Sequence, residues 1–161
     1  MTGSGFGVFA AYGAFMGLFA IFTIVLYVLF AFGLFTLANR RNIENAWLAW
    51  IPLAQFYTMG EVIGPVKIGD FDVSKPGLYL LIGMVGCLVL AQIPGIGFIF
   101  SLAMAVLSIG AAYYLFKRYT TDNNPMLFTI LSAVTCGFLV PIFVFMIRNN
   151  EDLNKDSSLT V

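Results

Sequence analysis

The chain has 161 residues, 60% of them hydrophobic and 10% charged, with eight basic residues balancing eight acidic ones. A soluble domain keeps roughly 25% of its residues charged so that water wets its outside; a surface this apolar calls for lipid as solvent. Eight basic and eight acidic residues cancel and leave no polybasic face for nucleic acid, and two cysteines without any histidine do not support a zinc site or a disulfide framework.

The predicted fold class is an all-α membrane protein: four transmembrane helices plus a Pro-kinked interfacial or re-entrant helix over residues 46–63. The N-terminus, MTGSGFG, has no basic n-region and no A-x-A-like cleavage site, so the first apolar run is expected to be retained. That run covers residues 6–37, about 48 Å of helix against a hydrocarbon core of about 30 Å. It is expected to tilt, break near its glycines or project beyond the membrane. Ala10, Gly13, Ala14 and Gly17 recur at three- and four-residue spacing along it. Such a stripe lets another backbone approach closely where lipid removes the ordinary hydrophobic drive.

The stretch 42–65, NIENAWLAWIPLAQFYTMGEVIGP, is almost as apolar as a span yet carries Pro52 in its middle and Glu61 near its end. Asn45 is placed to cap a helix beginning at Ala46. Trp47 and Trp50 favour the headgroup level, where ring and N–H are both accommodated. Pro52 removes a backbone donor and bends or ends that helix. Trp47, Trp50 and Tyr57 form a candidate packing platform, while Gln55 and Glu61 are candidate polar positions. If this stretch stays on one side, six basic residues (Arg40, Arg41, Lys67, Lys75, Lys117, Arg118) share a compartment and only Arg148 and Lys155 lie opposite. If it crosses, the split is four against four. Short-loop Lys and Arg are retained in the cytoplasm, which favours four spans with both termini outside.

Residues 66–76 turn polar and read as a solvated loop; Asp70 and Asp72 are too few for Ca²⁺, which takes six to eight oxygens. Span two is expected at 77–92, ending at the polar candidate Gln92, and span three at 97–116 after a Pro-Gly turn. Gly97, Ser101, Ala105 and Ser108 form a small-residue stripe for close hairpin packing. Asn124-Pro125 is a strong helix start, opening span four at 125–147 with a kink at Pro141. The tail 151–161 is polar and expected to be disordered. Cys87 and Cys136 read as small packing residues inside apolar runs. A faint echo links 34–52 with 115–131: helix end, basic pair, Asn-rich turn, apolar helix.

The segment RNIENAWLAWIPLAQFYTMGEVIG, followed by KPGLYLLI, a central IPG turn, YYLFKRYTTDNN and PIFVFMIRN, resembles a family of small bacterial multi-pass membrane proteins with an AWLAWIP-like segment after the first helix. The resemblance covers residues 27–150 and departs at Gln55, where many relatives carry asparagine, and in a longer acidic loop. It implies this topology and a bacterial inner membrane, and it carries over no catalytic residue.

An intramembrane enzyme needs a nucleophile, an acid–base pair or metal ligands; without histidine, and with Ser101, Ser108 and Ser132 lacking a partner base, no catalytic, cofactor-binding or metal residue is assigned. The favoured reading is a non-catalytic membrane scaffold or partner subunit. Its expected partners are membrane lipid and another membrane protein, or a second copy. The alternative is a homo-oligomeric channel or small transporter.

Overall fold

The computed structural model describes residues 3–121 and 124–153. Six α-helices account for most of them: α1 (Gly3–Arg40), α2 (Ala54–Ile63), α3 (Pro76–Leu90), α4 (Gly97–Tyr119), α5 (Asn124–Val134) and α6 (Val140–Ile147). A 3₁₀ turn at Ala46–Trp50 precedes α2. Two of these helices, α1 and α4, are long and apolar enough to cross a membrane.

Helix α1 ends where its sequence turns from apolar to Asn39-Arg40-Arg41. Ile43 N–H bonds Ala38 C=O (3.0 Å) and Asn42 N–H bonds Asn39 C=O (3.0 Å). With Asn42 at φ 55°, this is the six-to-one, five-to-two closure of a left-handed helix end. The chain then reverses and runs back along α1. Ile51, directly before Pro52, is extended at φ −100°, ψ 121°, as the clash with the proline ring demands. So residues 46–63 are not one kinked helix but two short pieces folded into a hairpin. Tyr27 on α1 donates to Trp50 C=O near its tip, and α2 returns to the level of Arg41.

Between α2 and α3 the expected loop is a β-hairpin, β1 (Val66–Ile68) against β2 (Phe71–Val73), with Lys67 opposite Asp72. Gly69 at φ 60° takes the first central position of its two-residue turn, where a side chain is disfavoured. Helices α3 and α4 form the antiparallel pair expected from the sequence.

The expected fourth span is instead two helices. Cys136 N–H bonds Ala133 C=O (3.1 Å) and Gly137 N–H bonds Ser132 C=O (2.7 Å), with Cys136 at φ 51°. This repeats the closure seen at Asn42, and it ends α5 at Val134, before Pro141 is reached. Cys136 is therefore a turn residue, exposed rather than packed, while Cys87 is half-buried. Helix α6 then runs back beside α1, so close that a methyl on Gly33 would lie 3.0 Å from the Phe145 backbone.

The return of α6 moves the C-terminal charges. Arg40 Nη1 donates to Arg148 C=O (3.2 Å) and Asn150 C=O (3.3 Å), and Asn150 Nδ2 donates to Tyr119 C=O (2.8 Å). Arg148 was expected opposite Arg40; it lies beside it. The described chain therefore begins at one end of the bundle and finishes at the other, against the expectation of both termini on one side. Seven of the eight basic residues fall at this single end, and the eighth, Lys155, lies outside the described residues. Of the expected tail, Asp152 is held by ion pairs described below, and 154–161 lie outside the described residues.

The packed core gathers toward the same end. Leu34 and Leu37 of α1, Leu115 and Phe116 of α4, and Val144 and Ile147 of α6 are fully or almost fully buried. Phe128 of α5 stacks on Phe143 of α6 at 4.4 Å, and Phe116 meets both rings edge-on. Offset and edge contacts of this kind add about 0.5–1.5 kcal/mol each beyond burial.

Candidate functional site

The first feature at the basic end is how α2 stops. The last four carbonyls of a helix have no partner inside it, and its C-terminus carries partial negative charge. Here arginines from two other helix ends supply the donors. Arg41 Nη1 reaches Glu61 C=O (2.8 Å) and Val62 C=O (2.5 Å), and Arg118 Nη1 reaches Ile63 C=O. Asp152 bridges both, at 2.8 Å from Arg118 Nε and 3.5 Å from Arg41 Nε. Gly64 follows at φ 69°, and a methyl there would run into the guanidinium groups. One carboxylate and two arginines thus tie α1, α2, α4 and the chain after α6 into a single knot.

The second feature is the crossing of α2 and α3. A methyl on Gly60 would lie 2.5 Å from Gly77 N and 2.6 Å from Pro76 C, and one on Gly77 would lie 2.8 Å from Tyr57 C=O. Both are backbone-to-backbone approaches that only glycine allows. The Glu61 side chain lies over Gly77, with Cγ 2.8 Å from where that methyl would be. Its carboxylate is therefore placed against the first turn of α3, the end of a helix that favours negative charge.

Beside this crossing opens the third feature, a cavity of about 590 Å³ walled by α2, α3 and α4 and flanked by the β-hairpin. Ile63, Val66, Pro76, Leu80 and Gly110 contribute to an almost wholly apolar lining, and Asp72 is its one charged member.

The residues singled out in the sequence distribute differently. Ala10, Gly13, Ala14 and Gly17 are all exposed on the first half of α1, with nothing within 4 Å of the methyl positions of Gly13 and Gly17. Trp47 and Trp50 are exposed, three residues apart in the 3₁₀ turn, and Tyr57 is half-buried on α2. Gly97 serves its own turn, a methyl there striking Ala91 C=O. Ser101 and Ser108 bond back to Gly97 C=O (3.0 Å) and Met104 C=O (2.8 Å), and Ala105 is exposed. Of the polar candidates, Gln55 sits in the first turn of α2, its Oε1 buried without a hydrogen-bond partner among the described residues. Glu61 sits in the last turn, and Gln92 is exposed beyond α3 and bonds back to Leu88 C=O (3.4 Å). They do not converge. The glycines at which one helix backbone meets another, Gly33, Gly60 and Gly77, carry no signal in the sequence, because none belongs to a repeating small stripe. Comparison with protein-family models, curated proteins and solved structures finds no match for this chain.

Proposed function

We propose that the protein is a small multi-pass membrane protein without catalytic chemistry, which docks a helix of another membrane protein through the first half of α1. The observation behind this is the division of α1 into two unlike halves. From Leu26 onward it is largely packed against the rest of the chain; residues 7–25 are apolar, uncharged and exposed, with Phe22 making a ring contact near the boundary.

Length supplies the physical reason. Phe22 stacks on Phe138 at the tip of the α5–α6 hairpin, with ring centroids 6.3 Å apart. That tip lies 18 residues, about 27 Å of helix, from Arg40. The packed body is thus about as deep as one hydrocarbon core of about 30 Å. Its flanks are apolar too, with Ile82, Val89, Phe98, Leu102 and Val106 open along α3 and α4. All 38 residues of α1 would measure about 57 Å. Lipid that surrounds the body upright leaves the first half of α1 uncovered, and lipid that surrounds the first half leaves the body uncovered. A protein partner on residues 7–25 removes the conflict, and the Ala10–Gly13–Ala14–Gly17 stripe is the side on which its backbone approaches closest.

The orientation follows from charge. With α1, α3 and α4 crossing and both the 46–63 and 124–147 segments re-entrant, every described Lys and Arg faces the cytoplasm, a stronger bias than six against two. The C-terminal side of the described chain is then cytoplasmic and the start of α1 is outside. A bacterial inner membrane is the setting that the AWLAWIP resemblance suggests. The test is Gly17→Leu, read by co-purification and particle size after extraction in mild detergent. Loss of association, with the fold retained, is expected; unchanged association in Gly17→Leu and Gly13→Leu alike refutes the assignment.

A further inference from the structure

The cavity between α2, α3 and α4 plays no part in helix docking, and its surroundings define an occupant. We propose that it holds one acyl chain of a zwitterionic membrane phospholipid, phosphatidylethanolamine in chemistry, with the headgroup beside the Lys67–Asp72 pair of the β-hairpin. The inference rests on the membrane reading above.

Three observations carry it. The volume of about 590 Å³ lies in the range of about 300–1,000 Å³ that holds a small-molecule-sized ligand, and the lining is apolar apart from Asp72 and two tyrosines. A dry void of this size leaves its walls without dispersion partners, and an apolar cavity does not recruit water to fill it. Second, the cavity opens sideways: Tyr79 and Val106 line it and are 62% and 63% exposed on the outer flank of α3 and α4. A chain entering from that flank comes from the bilayer itself. Third, the mouth lies at the basic end, where headgroups would sit, and its one charged edge is Asp72, with Lys67 next to it across the hairpin and outside the lining. Lys67 and Asp72 are cross-strand partners, so their side chains emerge on one face of the hairpin, and Asp72 is on the cavity wall. An ammonium and a carboxylate side by side complement a phosphate and an amine side by side.

Gly110 provides the probe. It lines the cavity, and a methyl built on it meets nothing within 4 Å, so Gly110→Leu fills the space without a backbone clash and replaces a mid-helix glycine by a better helix former. The full chain is reconstituted in nanodiscs of phosphatidylethanolamine carrying a diazirine in one acyl chain, and photoadducts are mapped by mass spectrometry. Adducts are expected at Leu80 and Tyr114 inside the cavity and at Leu102 on the outer flank. Gly110→Leu should cut the cavity adducts several-fold and leave Leu102 labelled. Labelling at Leu102 with cavity positions unlabelled, or insensitive to Gly110→Leu, overturns the acyl-chain site while leaving the membrane reading intact. Labelling at neither overturns both. For the headgroup, native mass spectrometry in a mixture with phosphatidylglycerol should show preferential retention of phosphatidylethanolamine, lost in Asp72→Lys. A preference unchanged in that variant overturns the headgroup assignment.

Discussion

Replacing Gly60 by alanine tests the central packing of this fold with one methyl group. The new carbon would sit 2.5 Å from Gly77 N and 2.6 Å from Pro76 C, where carbon pairs prefer about 3.5–4.0 Å. Neither neighbour is a side chain that can rotate away, so α2 and α3 must separate by about 1 Å. Separation weakens the α2–α3 contact and draws the Ile63 carbonyl away from Arg118. Overpacking of this kind costs about 1–3 kcal/mol, and the gain in helix propensity returns about 1 kcal/mol. The backbone partners place the cost at the upper end, for a net loss of about 2 kcal/mol. For a chain of this size that corresponds to a fall of about 4–8 °C in the thermal midpoint. The assay is thermal unfolding of the purified full chain in mild detergent, beside Gly86→Ala as a control. Gly86 lies inside α3 with nothing within 4 Å of its methyl position, so only the propensity gain should appear. A Gly60→Ala midpoint at or above wild type would refute the close crossing.

Three further outcomes follow from the same geometry. Asp152→Asn should lower stability by about 1–3 kcal/mol, since it leaves Arg41 and Arg118 to cap α2 without a counter-charge; thermal unfolding at low and high salt checks this, with the smaller deficit in high salt. Cys136→Gly should stabilise by about 1 kcal/mol, because a left-handed φ of 51° costs a side chain roughly that amount; a lower midpoint than wild type would count against the α5 turn. In a background without Cys87 and Cys136, Asp72→Cys and Glu151→Cys should react with an impermeant maleimide from one compartment and Gly95→Cys from the other. Reaction of the first two from opposite sides would restore an uninterrupted crossing by residues 125–147.

Composition and period alone determined that the chain is helical and apolar, where α1, α3 and α4 run, and that Pro52 breaks the segment after α1. These are local properties: hydropathy over twenty residues and the missing N–H of one proline do not depend on distant neighbours. Tertiary structure decided what happens at Cys136, because nothing in SAVTCGFLVP forces a reversal and Pro141 alone suggests only a kink. The reversal is fixed by where α6 then packs, Phe145 against Gly33, Phe143 on Phe128, and Arg148 beside Arg40. Long-range contact also decided which glycines matter: Gly13 and Gly17 look like a packing face and touch nothing, whereas Gly60 and Gly77 are isolated in sequence and meet only when α2 folds back onto α3. A stripe records a helix's own periodicity, while a close approach belongs to two backbones whose meeting is set by the rest of the chain.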